Sequence, residues 1–269
     1  MRAIGLIAVN VFRESVRDKV LYNLVFFAIL LMGASYLIGQ ITAGQDLKII
    51  KDLGLAATSV FGLFIAVFIG IGLVSKEVEK RSIYSLIAKP IERYQVVLGK
   101  YAGLLLTLAV NLAVMAFALY VMLAYMRWEA EPLSIQAWER PALDPLLLKA
   151  FFLTFVELAV ITAIAVFFST FSTPLLSAAL TFGFFVAGRF SADLRNFDQV
   201  VDSPVAVGLA KGLYWILPNL APFDVRTQVV HGSQPVTAGY MAMASGYGAL
   251  YIAALIVAAI LVFSRRDFK

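Results

Sequence analysis

The sequence predicts an all-α integral membrane protein with six transmembrane helices, and three observations carry that prediction. Hydrophobic residues make up 61% of the 269 and charged residues 14%, against about 45–50% and about 25% in a soluble domain. The apolar residues gather into runs close to the ~20 that a helix needs to cross ~30 Å of hydrocarbon. The Lys and Arg between those runs are shared unevenly between the two sides. One soluble core cannot hide this much apolar surface, so a disordered chain, a disulfide scaffold and a nucleic-acid-binding domain are disfavoured. Cys is absent, which removes disulfides, thiolate metal sites and a cysteine nucleophile.

The first element is an amphipathic helix. Ile4, Ile7, Val11 and Val16 fall near one face while Arg13, Arg17 and Asp18 fall on another, the pattern of a helix lying in the membrane interface. It has neither the apolar length nor the small-residue cleavage site of a signal peptide. Five runs, at about 21–39, 53–75, 101–126, 174–188 and 240–263, carry no charge, and the run at about 150–171 carries only Glu157. The uncharged turn between spans four and five holds Ser169, Thr170, Ser172 and Thr173, whose hydroxyls can satisfy backbone groups that lipid would leave unpaired. A seventh stretch, 205–220, is interrupted by Lys211 and closed by Pro218. It reads as a re-entrant or interfacial helix between spans five and six. The whole chain, 1–269, reads as one transmembrane domain.

Charge gives the direction. With the N-terminus in the cytoplasm, the inner segments hold 13 of the 22 basic residues, and the longer outer segments hold 9. That bias favours both termini inside. Trp128, Trp138 and Trp215 then fall on the outer side, near the interface where amphipathic rings settle.

Reactive groups are few. No G-x-x-x-x-G-K-[ST] run exists, so the chain lacks a phosphate-binding P-loop. Its one His, His231, sits in a Gly- and Pro-flanked outer stretch and reads as a solvated residue. An enzyme of the membrane interior would need converging His, Asp, Glu or Ser, so the chain is expected not to be an enzyme. Glu157 costs at least ~2.5 kcal/mol in lipid and should therefore face protein or water. It is expected to line a polar cavity or to hydrogen-bond a neighbouring helix. Asn111 in span three suits an interhelical hydrogen bond. Gly99 with Gly103, and Ala179 with Gly183 and Ala187, put small residues at four-residue spacing, which lets helices approach closely.

The most charged stretch is the inner loop from Lys76 to Lys100. Within it Ile83, Leu86 and Ile87 form an i, i+3, i+4 apolar set, and Pro90 stops the helix. A short amphipathic helix of this kind suits a groove on another protein; a solvated loop of positive-inside charges is the plainer reading. Glu77-x-Glu79, a helix closing on Lys89-Pro90, then Arg93 and Gly99-Lys100 resemble the permease subunits of the ABC type-2 exporter family. So does Leu217-Pro218-Asn219-Leu220-Ala221-Pro222-Phe223-Asp224 before the last span. The departure is Arg81-Ser82, where that family usually has Gly-Thr.

The resemblance implies a membrane subunit of an ATP-driven exporter in the inner membrane of a prokaryote. It makes the loop a coupling helix docking on a separate ATPase subunit through Glu77, Glu79, Arg81, Ser82, Ile83, Tyr84, Leu86, Ile87, Lys89 and Pro90. It implies two ATPase copies, which would hold ATP and Mg, and no cofactor on this chain. It also implies a second permease, either a homodimer partner or a paralogue, with membrane lipids around both and room for a periplasmic accessory protein. Asn111 and Glu157 are the candidates for a transport pathway or for interhelical polar contacts. The competing readings are a channel or secondary transporter that needs no ATPase, and a membrane-embedded enzyme. The substrate is not readable.

Overall fold

The computed structural model describes residues 2–41, 46–79, 92–191, 217–232 and 235–265, and single positions between 203 and 214. Among the described residues there is no strand. The long elements are α1 (Arg2–Val16), α2 (Lys19–Ile41), α3 (Asp46–Glu79) and α4 (Arg93–Glu129). After them come a short α5 (Pro132–Ala137), α6 (Leu146–Ser169) and α7 (Pro174–Arg189). A 3-10 turn (Ala221–Phe223), α8 (Arg226–His231) and α9 (Ala238–Arg265) complete the order.

Five of these, α2, α3, α4, α6 and α9, are long and apolar enough to cross a membrane. α7 is a shorter apolar helix: its 16 residues span about 24 Å, less than the ~30 Å of a hydrocarbon core. Burial sorts the five. In α6, 78% of the most apolar window is buried, against 22% in α2 and 17% in α9. The core therefore sits around α6, where Leu153, Leu158, Val160, Ile161, Ala163 and Ala165 are fully covered. α2 and α9 turn large side chains such as Phe26, Leu37 and Leu250 outward, as helices bathed in lipid or covered by a partner do.

Several boundaries differ from the sequence expectation, and at the starts of α3 and α6 charged residues near the helix end find backbone partners that let the helix extend. α3 starts at Asp46, not near 53, because Lys51 is buried with its Nζ donating to the Pro141 carbonyl at 2.8 Å. α6 starts at Leu146, not 150. Asp144 Oδ1 accepts the Leu146 amide at 2.9 Å, and Lys149 Nζ donates to the Val236 carbonyl at 2.7 Å. α4 runs from Arg93 to Glu129 where 101–126 was expected. His231, expected in a loop, is the last residue of α8, which Gly232 closes at φ 72°.

The amphipathic N-terminal helix does not lie alone. Val11 and Ser15 on α1 are buried, and α1 rests on the start of α4 where Gly99 and Gly103 leave room. A Cβ on Gly103 would stand 2.6 Å from the Ala8 carbonyl oxygen, and one on Gly99 would stand 2.7 Å from Ile7 Cβ. Of the second small-residue row, Gly183 faces open space. The turn between α6 and α7 is closed by its hydroxyls. Thr170 Oγ1 donates to the Phe167 carbonyl at 2.7 Å, Ser172 Oγ donates to that of Phe168 at 2.9 Å, and Pro174 opens α7.

Candidate functional site

The charged cluster of the bundle begins at the end of α7. Gly188 lets the helix end press against the segment before the 3-10 turn. Its carbonyl accepts the Leu220 amide at 3.0 Å, and a Cβ there would be 2.7 Å from the Pro218 carbonyl oxygen. The same segment is tied to α9: the Asn219 amide donates to Tyr247 Oη at 2.8 Å, and Tyr240 Oη donates to the Pro222 carbonyl at 2.6 Å. Gly248 brings α9 close to Val156 on α6 and to the buried Phe223. The run 217–224 thus joins α7, α9 and α6.

This joint brings three charged side chains together. Arg189, the last residue of α7, places Nε 2.9 Å from Glu157 Oε1 and donates from Nη2 to Glu157 Oε2 at 3.0 Å. The Nε–H is not aimed at Oε1, so that contact is ionic while the Nη2 contact is a hydrogen bond. Nη1 donates to Asp224 Oδ2, and Nη2 reaches Ser59 Oγ on α3 at 3.2 Å. The guanidinium also lies 5.5 Å from the centre of the Phe185 ring, within cation–π range. Glu157 is 1% exposed and Arg189 is 21% exposed. One guanidinium therefore serves two carboxylates on separate elements through a planar fork of five donors, a fixed geometry that the compact ammonium of a lysine does not reproduce.

Beside the cluster lies a cavity of about 200 Å³ between α3, α6, α7 and the segment after the 3-10 turn. Glu157, Arg189, Asp224, Arg226, Ser59 and Thr154 supply its polar wall. Arg226 is turned toward α3, with Nε 3.3 Å from Asp52 Oδ1. The lining thus offers hydroxyls and charges of both signs within an apolar bundle. Among the described residues no group of three His, Cys, Asp or Glu could hold a metal ion.

Glu157 stands about three turns into α6, because the helix starts at Leu146 and not at the edge of the apolar run near 150. Asn111 is buried on α4, where its Nδ2 donates to the Thr107 carbonyl of the same helix at 2.7 Å. It does not line the Glu157 cavity. Glu77 and Glu79 end α3, and their backbone is helical. Arg81, Ser82, Ile83, Tyr84, Leu86, Ile87, Lys89 and Pro90 lie outside the described residues, as does most of the 205–220 stretch. At the start of α4, Arg93 Nη1 donates to the Ser264 carbonyl at 2.7 Å, covering the C-terminal end of α9 as basic side chains do at helix ends.

Sequence reasoning missed Arg189, Asp224 and Ser59. A signal for Arg189 was present. Reflecting position 157 across the α6–α7 turn lands near position 186, about one helical turn from the first cation after α7. No comparable signal pointed to Asp224, which depends on the fold of the joint.

A family model described as "ABC-2 family transporter protein" matches residues 6–268. The chain belongs to the ABC-2 transporter family. It is thus a multi-pass membrane protein of a transporter family, whose permeases generally work with an ABC ATPase partner. A search among curated proteins found no significant match. Family membership agrees with the all-helical bundle and with the likeness drawn from the 76–100 loop.

Proposed function

We propose that this chain is the six-span permease subunit of an ATP-driven exporter, moving substrate or transmitting force across a prokaryotic inner membrane with both termini inside. The observation that carries this reading is the family match along residues 6–268. The order of elements supports it. α3 and α4, of 34 and 37 residues, are about 50 and 55 Å long, and they flank residues 80–91 in the sequence. A coupling helix there would push on two levers that run the length of the bundle. α7, though short, serves as the fifth span by reaching the hydrocarbon boundary through Arg189, which is held by Glu157 and Asp224.

In this reading the chain hydrolyses nothing and holds no cofactor. ATP and Mg belong to two copies of a separate ATPase subunit, and a second copy of the permease completes the assembly. The Glu157–Arg189–Asp224 cluster is a polar constriction at the end of the pathway remote from the ATPase. The test is co-purification and coupled ATPase activity with the cognate ATPase subunit in lipid. Leu86→Asp, or reversal of Glu77 and Glu79 to Lys, should abolish assembly or coupling while leaving the permease folded. Full coupled activity in both variants would overturn the docking assignment. Transport in the absence of any ATPase would overturn the exporter reading itself.

A further inference from the structure

A second cavity, of about 260 Å³, lies at the same end of the bundle between the end of α2, the start of α3 and the end of α4. Two aromatic side chains, Tyr36 and Trp138, and two carboxylates, Asp46 and Glu129, wall it together with the apolar Ile50 and Met126. No Lys or Arg among the described residues lines it. Tyr36 Oη donates to Glu129 Oε2 at 2.6 Å, which fixes the carboxylate without neutralising it. The Tyr36 ring is held edge-on by Tyr125, at 6.0 Å between centres.

Among the described residues, no cation is paired with this wall: neither Asp46 nor Glu129 has a Lys or Arg within ion-pairing distance. The basic residues that follow Asp46 on α3 are engaged elsewhere: Lys48 pairs with Glu139 at 2.8 Å, and Lys51 holds the Pro141 carbonyl. The contrast with the Glu157 cavity is direct, since there Arg189 already answers both carboxylates. Here Glu129 is exposed and Asp46 half-buried, so both are open to a cation arriving from outside. The rest of the wall says which kind. Ring faces attract a cation through their quadrupoles, and Ile50 and Met126 offer nothing to a strongly hydrated ion. A cation whose charge is spread over methyl groups loses little hydration on entering and touches every part of such a wall.

We propose that this cavity binds a quaternary ammonium group, carried either by a soluble cation or by the choline headgroup of a lipid. The site needs neither the ATPase nor the transport cycle, so it stands or falls independently of the exporter reading. The experiment is calorimetric titration of the purified full chain with choline chloride and with 3,3-dimethylbutanol, the uncharged isostere. Choline should bind saturably in the millimolar range, with the isostere about tenfold weaker or worse. Glu129→Gln and Trp138→Leu should each weaken choline about fivefold or more, and Trp138→Phe, which keeps a ring face, should lose less. Nanodiscs separate the two sources. Competition by phosphatidylcholine but not by phosphatidylglycerol assigns the lipid headgroup; equal choline binding in both assigns a soluble cation. No saturable binding up to about 50 mM choline in either lipid would overturn the proposal. So would equal binding of the isostere, or unchanged choline affinity in an Asp46→Asn, Glu129→Gln variant with wild-type melting temperature.

Discussion

Removing Arg189 should cost this bundle more than any other single change to a polar side chain described above. Arg189→Leu leaves Glu157, 1% exposed, with no cation beside it on α6. It also frees Asp224, which is 33% exposed and can turn to water at little cost. The expense therefore falls on Glu157. Breaking a buried pair by deleting one partner costs about 3–5 kcal/mol, because the other charge stays behind. At about 2–4 °C per kcal/mol for a chain of this size, thermal unfolding in detergent should fall by roughly 6–20 °C. Glu157→Leu should cost less, since Arg189 is 21% exposed and keeps Asp224. The deciding measurement is the double variant. Replacing both charges with apolar groups removes the orphan, so Arg189→Leu with Glu157→Leu should unfold at a higher temperature than Arg189→Leu alone. The coupling between the two sites should be about 2 kcal/mol or more, well above the few tenths seen between independent positions. Strict additivity would refute the ionic clamp and leave Arg189 as a packing residue. Arg189→Lys should recover only part of the loss, because a compact ammonium lacks the spread of the guanidinium fork that reaches Glu157, Asp224 and Ser59 at once.

Three further outcomes follow from the packing and charge pattern. Gly103→Ala puts a Cβ 2.6 Å from the Ala8 backbone oxygen; it should loosen α1 from α4 at a cost of about 1–3 kcal/mol, read as a lower melting temperature and faster proteolysis within residues 2–16. Lys48 beside Glu139 holds that carboxyl below the usual range, chiefly through their hydrogen bond. The pair therefore persists as pH falls from neutral and is lost only when pH drops through this depressed value. Lys48→Met should return the Glu139 titration, followed by carbon-13 NMR, to the ordinary carboxylate range. In the assembled exporter, Ser59→Cys creates the sole thiol of the chain. Its labelling rate should rise when ATP binds the partner if α3 shifts against α7, because the hydroxyl it replaces sits 3.2 Å from Arg189 Nη2; an unchanged rate would refute movement at this contact.

The sequence made the bundle legible because lipid imposes a length and a charge rule on every span, and both are local. The uncharged runs at 21–39 and 240–263 fall within α2 and α9, and Glu157 was marked by cost alone. What escaped was non-local. The ends of α3 and α6 run past their apolar runs because Lys51 and Lys149 find carbonyls at Pro141 and Val236, about 90 residues away in each case. Arg189 reads from sequence as an outer-loop cation. Only the joint at 217–224, closed by Gly188 and Tyr247, delivers Asp224 to it. Gly99 and Gly103 announced a close helix approach by their spacing but not its partner, since α1 is about 90 residues upstream.

The two cavities share one mechanical feature. α3 carries Leu55 and Ser59 into the first and Asp46 and Ile50 into the second, while α4 carries Met126 and Glu129 into the second. A tilt of about 5° in a lever of about 50 Å moves its far end by about 4 Å. That is more than the length of any hydrogen bond in either site. About a pivot near Glu79, the same tilt moves Asp46 by about 4 Å and Ser59, about 30 Å from the pivot, by about 2.6 Å, enough to stretch the Ser59–Arg189 contact beyond hydrogen-bond length, provided α3 and α4 do not tilt together. The Glu157–Arg189 pair lies on the α6–α7 hairpin, closed by Thr170 and Ser172, and would ride through such a motion intact. In the exporter proposed above, the ion pair would be the fixed post and α3 the moving arm, sliding on α6 where Gly62 meets Leu158 and Gly70 meets Ala165.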